Sequence, residues 1–124
     1  GVLPILKYLK DQNQLIALGS ASKNARPILE KTGTLAYFDA IVDGNDVSNA
    51  KPDPEVFLIA AQLLGIKPED SIVFEDSVAG IQAANIGKMT SIGIGEASIL
   101  HEAKYIFPDF THVGVNFIEA LVNT

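Results

Sequence analysis

Cysteine is absent from the 124 residues, which rules out disulfides and thiolate metal sites and points, weakly, to a cytoplasmic home. No apolar run approaches the ~18–20 residues that a membrane-spanning helix needs, and no secretory signal is visible. Positive charge is short: nine Lys and Arg stand against 15 Asp and Glu, a net charge of −6, which argues against nucleic acid as a partner. The same deficit constrains phosphate chemistry. An acidic protein that binds phosphate must concentrate positive potential locally, from a lysine, a helix N-terminus or a metal. An initiating methionine is missing too: Gly1 leads directly into a helix-like segment, so the expectation is a portion of a longer chain. What is plentiful is apolar content, 48%, enough for the core of one domain over residues 1–124.

The most informative stretch is Ser71-Ile72-Val73-Phe74-Glu75-Asp76-Ser77. Its β-branched and aromatic run suits a strand buried on both faces of a parallel sheet. Glu75 and Asp76 fall where that strand should end, and Ser77 can cap the next helix. Open α/β sheets bind ligands at the carboxyl ends of their strands. Two adjacent acids there repel each other, and a divalent cation with a preference for hard oxygen ligands, Mg²⁺, relieves the repulsion. The alternative is that one acid caps the helix and the other is solvated.

The rest of the chain alternates helix and strand. A helix with Leu3, Ile5, Leu6, Tyr8 and Leu9 precedes a strand at Leu15–Gly19. Proline is harmless only in a first helical turn, so Pro27 places the next helix at about Ala25–Lys31, with Asn24 as its cap. Strand Phe38–Asp43 follows. Then comes the stiff loop Lys51-Pro52-Asp53-Pro54, with Asp53 as N-cap and Pro54 opening a helix that Gly65 stops. Beyond the central strand, the pattern predicts a helix after Ser77, a strand over 90–95, a short helix over 99–104, a strand at Tyr105–Phe107 and a helix over 116–122. Such alternation is the signature of a doubly wound, Rossmann-like parallel α/β sheet.

Three loops lie at or just after strand ends: Ser20-Ala21-Ser22-Lys23-Asn24, Lys51, and Glu75-Asp76. Each has a task if the ligand is a phosphoryl group near Mg²⁺. The Ser20 hydroxyl and the Ala21 N–H can donate to phosphoryl oxygens. Ser22, Lys23 and Asn24 can hold a second, non-reacting phosphate at a helix start. Lys51, held extended by Pro52, can neutralise a carboxylate and a phosphate together. Taken singly, a Ser-rich turn is a cap and a lone lysine is a surface group. His101 and His112 lack partners and read as structural or surface residues.

The ordered set resembles motifs two, three and four of the haloacid dehalogenase superfamily of phosphotransferases. Ser20 after the LIALG strand matches the second motif. Lys51 in Lys51-Pro52-Asp53-Pro54-Glu55-Val56-Phe57 matches the third. Phe74-Glu75-Asp76-Ser77, followed by Ala79-Gly80-Ile81-Gln82-Ala83-Ala84, matches the fourth. The loop Ser20–Asn24 looks like that of the β-phosphoglucomutase-like subfamily. The resemblance implies a Mg²⁺-dependent interconversion of β-glucose 1-phosphate and glucose 6-phosphate through a phospho-aspartyl enzyme. Ser20 and Lys51 would be catalytic, Ser20–Asn24 would bind phosphate, and Glu75 and Asp76 would hold the metal.

The family's first motif, an Asp-x-Asp on an N-terminal strand, and the cap domain after it have no counterpart here. Asp39, Asp43 and Asp46 do not make that motif. The expectation is therefore the C-terminal portion of the core, inactive alone. Its sheet should lack the central strand between Leu15–Gly19 and Ile72–Glu75, leaving open apolar edges. Either the two strands close up, or a preceding segment or another copy of the chain completes the sheet. A sugar-phosphate phosphatase, a non-catalytic phosphate-binding or interaction module and a response-regulator receiver are the rival readings, the last needing a phospho-accepting Asp that has no place here.

Overall fold

The structure, a computed structural model, describes residues 2–20 and 25–122. Ala21, Ser22, Lys23 and Asn24 therefore lie outside the described residues. The elements run α1 (Val2–Asp11), β1 (Ala17–Gly19), α2 (Ala25–Thr32), β2 (Ala40–Val42), α3 (Glu55–Leu64), β3 (Ile72–Glu75), α4 (Val78–Ile86), β4 (Thr90–Ile94), β5 (Tyr105–Phe107) and α5 (Val115–Val122). No helix among the described residues is long and apolar enough to cross a membrane.

Every strand pairing is parallel, as the alternation predicts, but the sheet comes in two pieces. β1 pairs with β2, Leu18 opposite Ile41, while β3, β4 and β5 form a separate three-stranded sheet in that order. No strand among the described residues lies between β1 and β3. A cavity of about 810 Å³ separates them, lined along its two sides by Leu15–Gly19 and Ser71–Glu75. Direct closure of the two strands does not occur.

Helices hold the halves together. Val56, Phe57, Ala60 and Ala61 of α3 share one buried cluster with Val42 of β2, Val73 of β3 and Ala83 and Ala84 of α4. On the opposite face, Ile5 of α1, Val113 just before α5 and Ile118 of α5 gather Phe74, Ile94, Phe107 and Phe110. Side chains alternate along a strand, so Phe74 faces α1 and α5, and Val73 faces α3 and α4. Glu75, two residues on, shares the face of Val73. Asp39 latches α1 to the start of β1: it accepts a hydrogen bond from the Ile16 N–H at 2.8 Å and pairs with Lys10 at 2.8 Å.

Local signals held where the backbone itself set them. α2 begins at Ala25, which puts Pro27 third, and Gly33 after it is left-handed at φ 73°. Gly65 ends α3 at φ 70°, its N–H returning to the Ala61 and Gln62 carbonyls. Ser77 caps α4 by accepting from the Gly80 N–H at 3.0 Å. Others need correction. Pro54, not Asp53, is the N-cap of α3; the Asp53 carboxylate accepts from the Glu55 N–H at 2.9 Å from one residue earlier. Residues 99–104 form turns rather than a helix. Here Asn85 binds the Glu102 carbonyl and, through its side-chain oxygen, the buried Ser91 hydroxyl, which also accepts from the Lys104 N–H. These contacts pin a compact turn in place of the helix. The expected strands at 15–19 and 38–43 shrink to three residues each, Ala17–Gly19 and Ala40–Val42.

β4 is paired on both sides and β1 on one. Native-state amide exchange should accordingly be slowest in β4, while β1 exchanges on the order of tens of times faster. Equal protection of the two strands would mean that the cleft beside β1 is closed in solution.

Candidate active site

Lys51 lies in the loop between β2 and α3, and its bond to Pro52 is cis. Its ammonium sits 2.7 Å from Glu75 Oε2, and both side chains are largely buried, 16% and 10% exposed. The ammonium also lies 4.9 Å from the centre of the Phe57 ring. Phe57, in turn, packs where β1 ends, since a Cβ on Gly19 would stand 3.1 Å from its ring. One unbroken line of contact thus runs from Gly19 through Phe57 and Lys51 to Glu75. It brings the C-terminal ends of β1 and β3 to one edge, across the cavity that both line.

Glu75 is held at both oxygens. Oε2 takes the Lys51 ammonium. Oε1 accepts from the Asp76 N–H at 3.0 Å, the Ser77 N–H at 3.3 Å and the Ser77 hydroxyl at 3.2 Å. Burial pushes the Glu75 carboxyl up, but the Lys51 ammonium, by hydrogen bond and by charge, and then hydrogen bonds from Asp76 together outweigh burial and hold it below its ordinary value. Asp76 is exposed. The neighbouring Glu75 carboxylate, and then partial burial, push the Asp76 carboxyl up.

This is the pattern of two like charges crowded at a strand end. Of the capping alternative only the solvated acid stands, Asp76, because Ser77 and not an acid caps α4. No group of three or more His, Cys, Asp or Glu that could hold a metal gathers among the described residues. Mg²⁺ keeps several waters and takes only one or two carboxylates besides phosphate oxygens, so Glu75 and Asp76 fit part of its shell.

Ser20 stands directly after β1, its N–H donating to the Val42 carbonyl at 2.8 Å. The structure therefore joins Lys51 to Glu75 and sets Ser20 at the same edge. Ala21, Ser22, Lys23 and Asn24 are outside the described residues. Asp43 and Asp46 close the turn after β2 on each other's backbone, Asp46 accepting from the Asp43 N–H and Asp43 from the Asn45 N–H, both at 2.9 Å. His112 is an exposed partner of Asp109, 2.9 Å away. Phe57 is the contributor that sequence reasoning missed. At helical spacing it is indistinguishable from a core residue, and only its place six residues after Lys51 hints at a second duty.

Comparison with known proteins gives the family. Residues 1–86 match the haloacid dehalogenase-like hydrolase family, a span that includes Ser20, Lys51, Glu75 and Asp76. The chain is 40% identical over 96 residues to β-phosphoglucomutase of Bacillus subtilis (strain 168), covering 77% of this chain and 42% of that protein. It is 35% identical over 96 residues to fructose-1-phosphate phosphatase of Escherichia coli (strain K12), covering 74% of this chain and 51% of that protein. The crystal structure of β-phosphoglucomutase from Clostridium difficile superposes with a TM-score of 0.94 at 36% identity, over 99% of this chain and 55% of that one. The chain thus spans about half the length of the relatives it matches.

Replacing Lys51 by Met should leave a buried carboxylate unpaired and destabilise the fold by about 3–5 kcal/mol at pH 7. Glu75 has a lowered pKa, so its stabilising contribution is complete above its usual value of 4.5 and is lost as pH falls through the lower folded value. Urea titrations of wild type and Lys51→Met should therefore diverge above pH 4.5 and converge in stronger acid. Parallel curves across the acid range would show that the pair contributes nothing.

Proposed function

The chain belongs to the haloacid dehalogenase-like hydrolase family, and on that footing we propose that it forms the electrostatic half of a Mg²⁺-dependent phosphosugar phosphotransferase. The reaction is the interconversion of β-glucose 1-phosphate and glucose 6-phosphate, by way of a phospho-aspartyl enzyme. The observation that carries the reading is the buried contact of Lys51 with Glu75, at 2.7 Å, where β3 ends.

Lys51 offers three donors, of which Glu75 uses one, so its charge reaches both a metal-ligating carboxylate and a transferring phosphoryl group. Glu75 and Asp76 would hold Mg²⁺, which when bound neutralises charge on the phosphoryl oxygens. Ser20 would donate its hydroxyl to the same oxygens. Ala21, Ser22, Lys23 and Asn24 take the second phosphate of a sugar bisphosphate, a role carried over from the motif resemblance.

A phospho-accepting carboxylate is the missing partner. A parallel strand seated between β1 and β3 would bring one to the edge where Lys51 and Glu75 stand. A preceding segment of the protein would supply both strand and carboxylate; another copy of the chain would complete the sheet without the carboxylate. Two unpaired parallel edges and the apolar lining of Leu15, Leu18, Ile72 and Phe74 along the cavity support this reading. Sugar-phosphate hydrolysis is the second reading, favoured by the 35% identity to a fructose-1-phosphate phosphatase.

An assay of the longer reading frame on β-glucose 1-phosphate separates the two. Glucose 6-phosphate is expected from a mutase, and stoichiometric release of inorganic phosphate would overturn that reading. In the same enzyme Lys51→Ala should lower kcat on the order of 10²-fold with little change in KM, because charge on the phosphoryl oxygens peaks during transfer. Lys23→Ala should do the reverse, raising KM. The chain of 124 residues assayed alone should give no metal-dependent turnover above a Glu75→Ala/Asp76→Ala control.

A further inference from the structure

Gly80 is the third residue of α4, is buried, and donates its N–H to the Ser77 hydroxyl. Its backbone is not among the glycines of positive φ, which are Gly33, Gly65 and Gly95. Conformation therefore gives no reason for glycine here, and an alanine would favour the helix. The reason lies outside the backbone. A Cβ placed on Gly80 would overlap the Glu75 side chain at Cγ, Cδ and Oε2, and these are the three atoms nearest to it. Gly87, later in the same region, meets nothing closer than 3.3 Å.

The structure assigns Gly80 as a positioning residue for the Glu75 carboxylate. The parity of β3 aims Glu75 at the first turn of α4, and the missing Cβ is the space that the carboxylate occupies. In that space Glu75 reaches Lys51 with one oxygen and the Asp76 N–H, Ser77 N–H and Ser77 hydroxyl with the other. The three atoms that a methyl group at residue 80 would meet first all belong to a side chain that can swing away. The helix would stay intact and the carboxylate would be evicted, taking the Lys51 pair with it. Gly80 thus acts on the site through Glu75. That Glu75 serves phosphoryl transfer rests on the proposed function; that Gly80 sets its place rests on packing.

The test uses four versions of this chain: wild type, Gly80→Ala, Glu75→Ala and the double variant. Thermal unfolding and the rate of Lys51 methylation by formaldehyde and a hydride donor are measured for each, with no metal or sugar phosphate present. Gly80→Ala should lower Tm when Glu75 is present. On the Glu75→Ala background the same change should raise Tm by about 2–4 °C, as an ordinary glycine-to-alanine change inside a helix does. Lys51 methylation should rise severalfold in Gly80→Ala and change no further in the double variant. A single variant too unstable to purify, beside a double variant that folds, carries the same meaning. Loss of Tm of the same size on both backgrounds, or failure of the double variant to fold, would overturn the assignment, because the obstacle would then be something other than Glu75. Absence of phosphosugar turnover in the longer protein would sink the proposed function and leave this result standing.

Discussion

A buried charge pair ties the two halves of the sheet to one another at the functional edge. Lys51 enters from the side of β1 and β2, and Glu75 from the side of β3, β4 and β5. Removing two charges from water is costly, and their attraction offsets the cost only when the remaining hydrogen-bonding capacity is used. Here it is used: the second oxygen of Glu75 takes two N–H groups and a hydroxyl from the entrance of α4. The cap that starts the helix also holds the Glu75 carboxylate. Ser77 serves both, its hydroxyl oxygen accepting from Gly80 while its proton goes to Glu75.

That pair cannot hold the halves together unaided, and α3 does most of the mechanical work. Its buried face reaches Val42 on one side of the cavity and Val73 on the other. Because α3 covers one face of the gap and α1 with α5 the other, the cleft stays walled although its two strand edges are unpaired. This explains why β1 is only half-buried along its length and why Leu15 is 49% exposed. A run as apolar as Leu15–Gly19 is written for burial on both sides, and here one side is open.

Much of this was legible in the sequence, and the reasons differ from element to element. Backbone chemistry was the most reliable guide. Pro27 fixed the start of α2, Gly65 the stop of α3 and Ser77 the cap of α4, because each has few conformations that satisfy its neighbours. The pairing of Lys51 with Glu75 could be anticipated only from three loops taken together, since neither residue is unusual alone. What stayed hidden was whatever depends on a contact between distant residues. The turn over 99–104 is set by Asn85 and Ser91, and their role cannot be read from the local pattern. Asp53 and Pro54 were each expected one position out along the start of α3, because an Asx-type contact to Glu55 looks the same from sequence as a true cap.

Phe57 shows how packing and electrostatics become inseparable in such a site. Its ring is nearly buried, 8% exposed, which by itself describes a core residue. Yet its face carries the Lys51 ammonium at 4.9 Å, and its edge fills the space beside Gly19. A cation over an aromatic face is attracted by the ring quadrupole, and more strongly when water is excluded. The ring therefore does for Lys51 what the helix entrance does for Glu75: it fixes the direction from which the charge acts. An aliphatic side chain of similar volume could fill the core but would take the aromatic face away from the ammonium. The placement of the lysine relative to the end of β1 thus follows from a packing decision made inside α3.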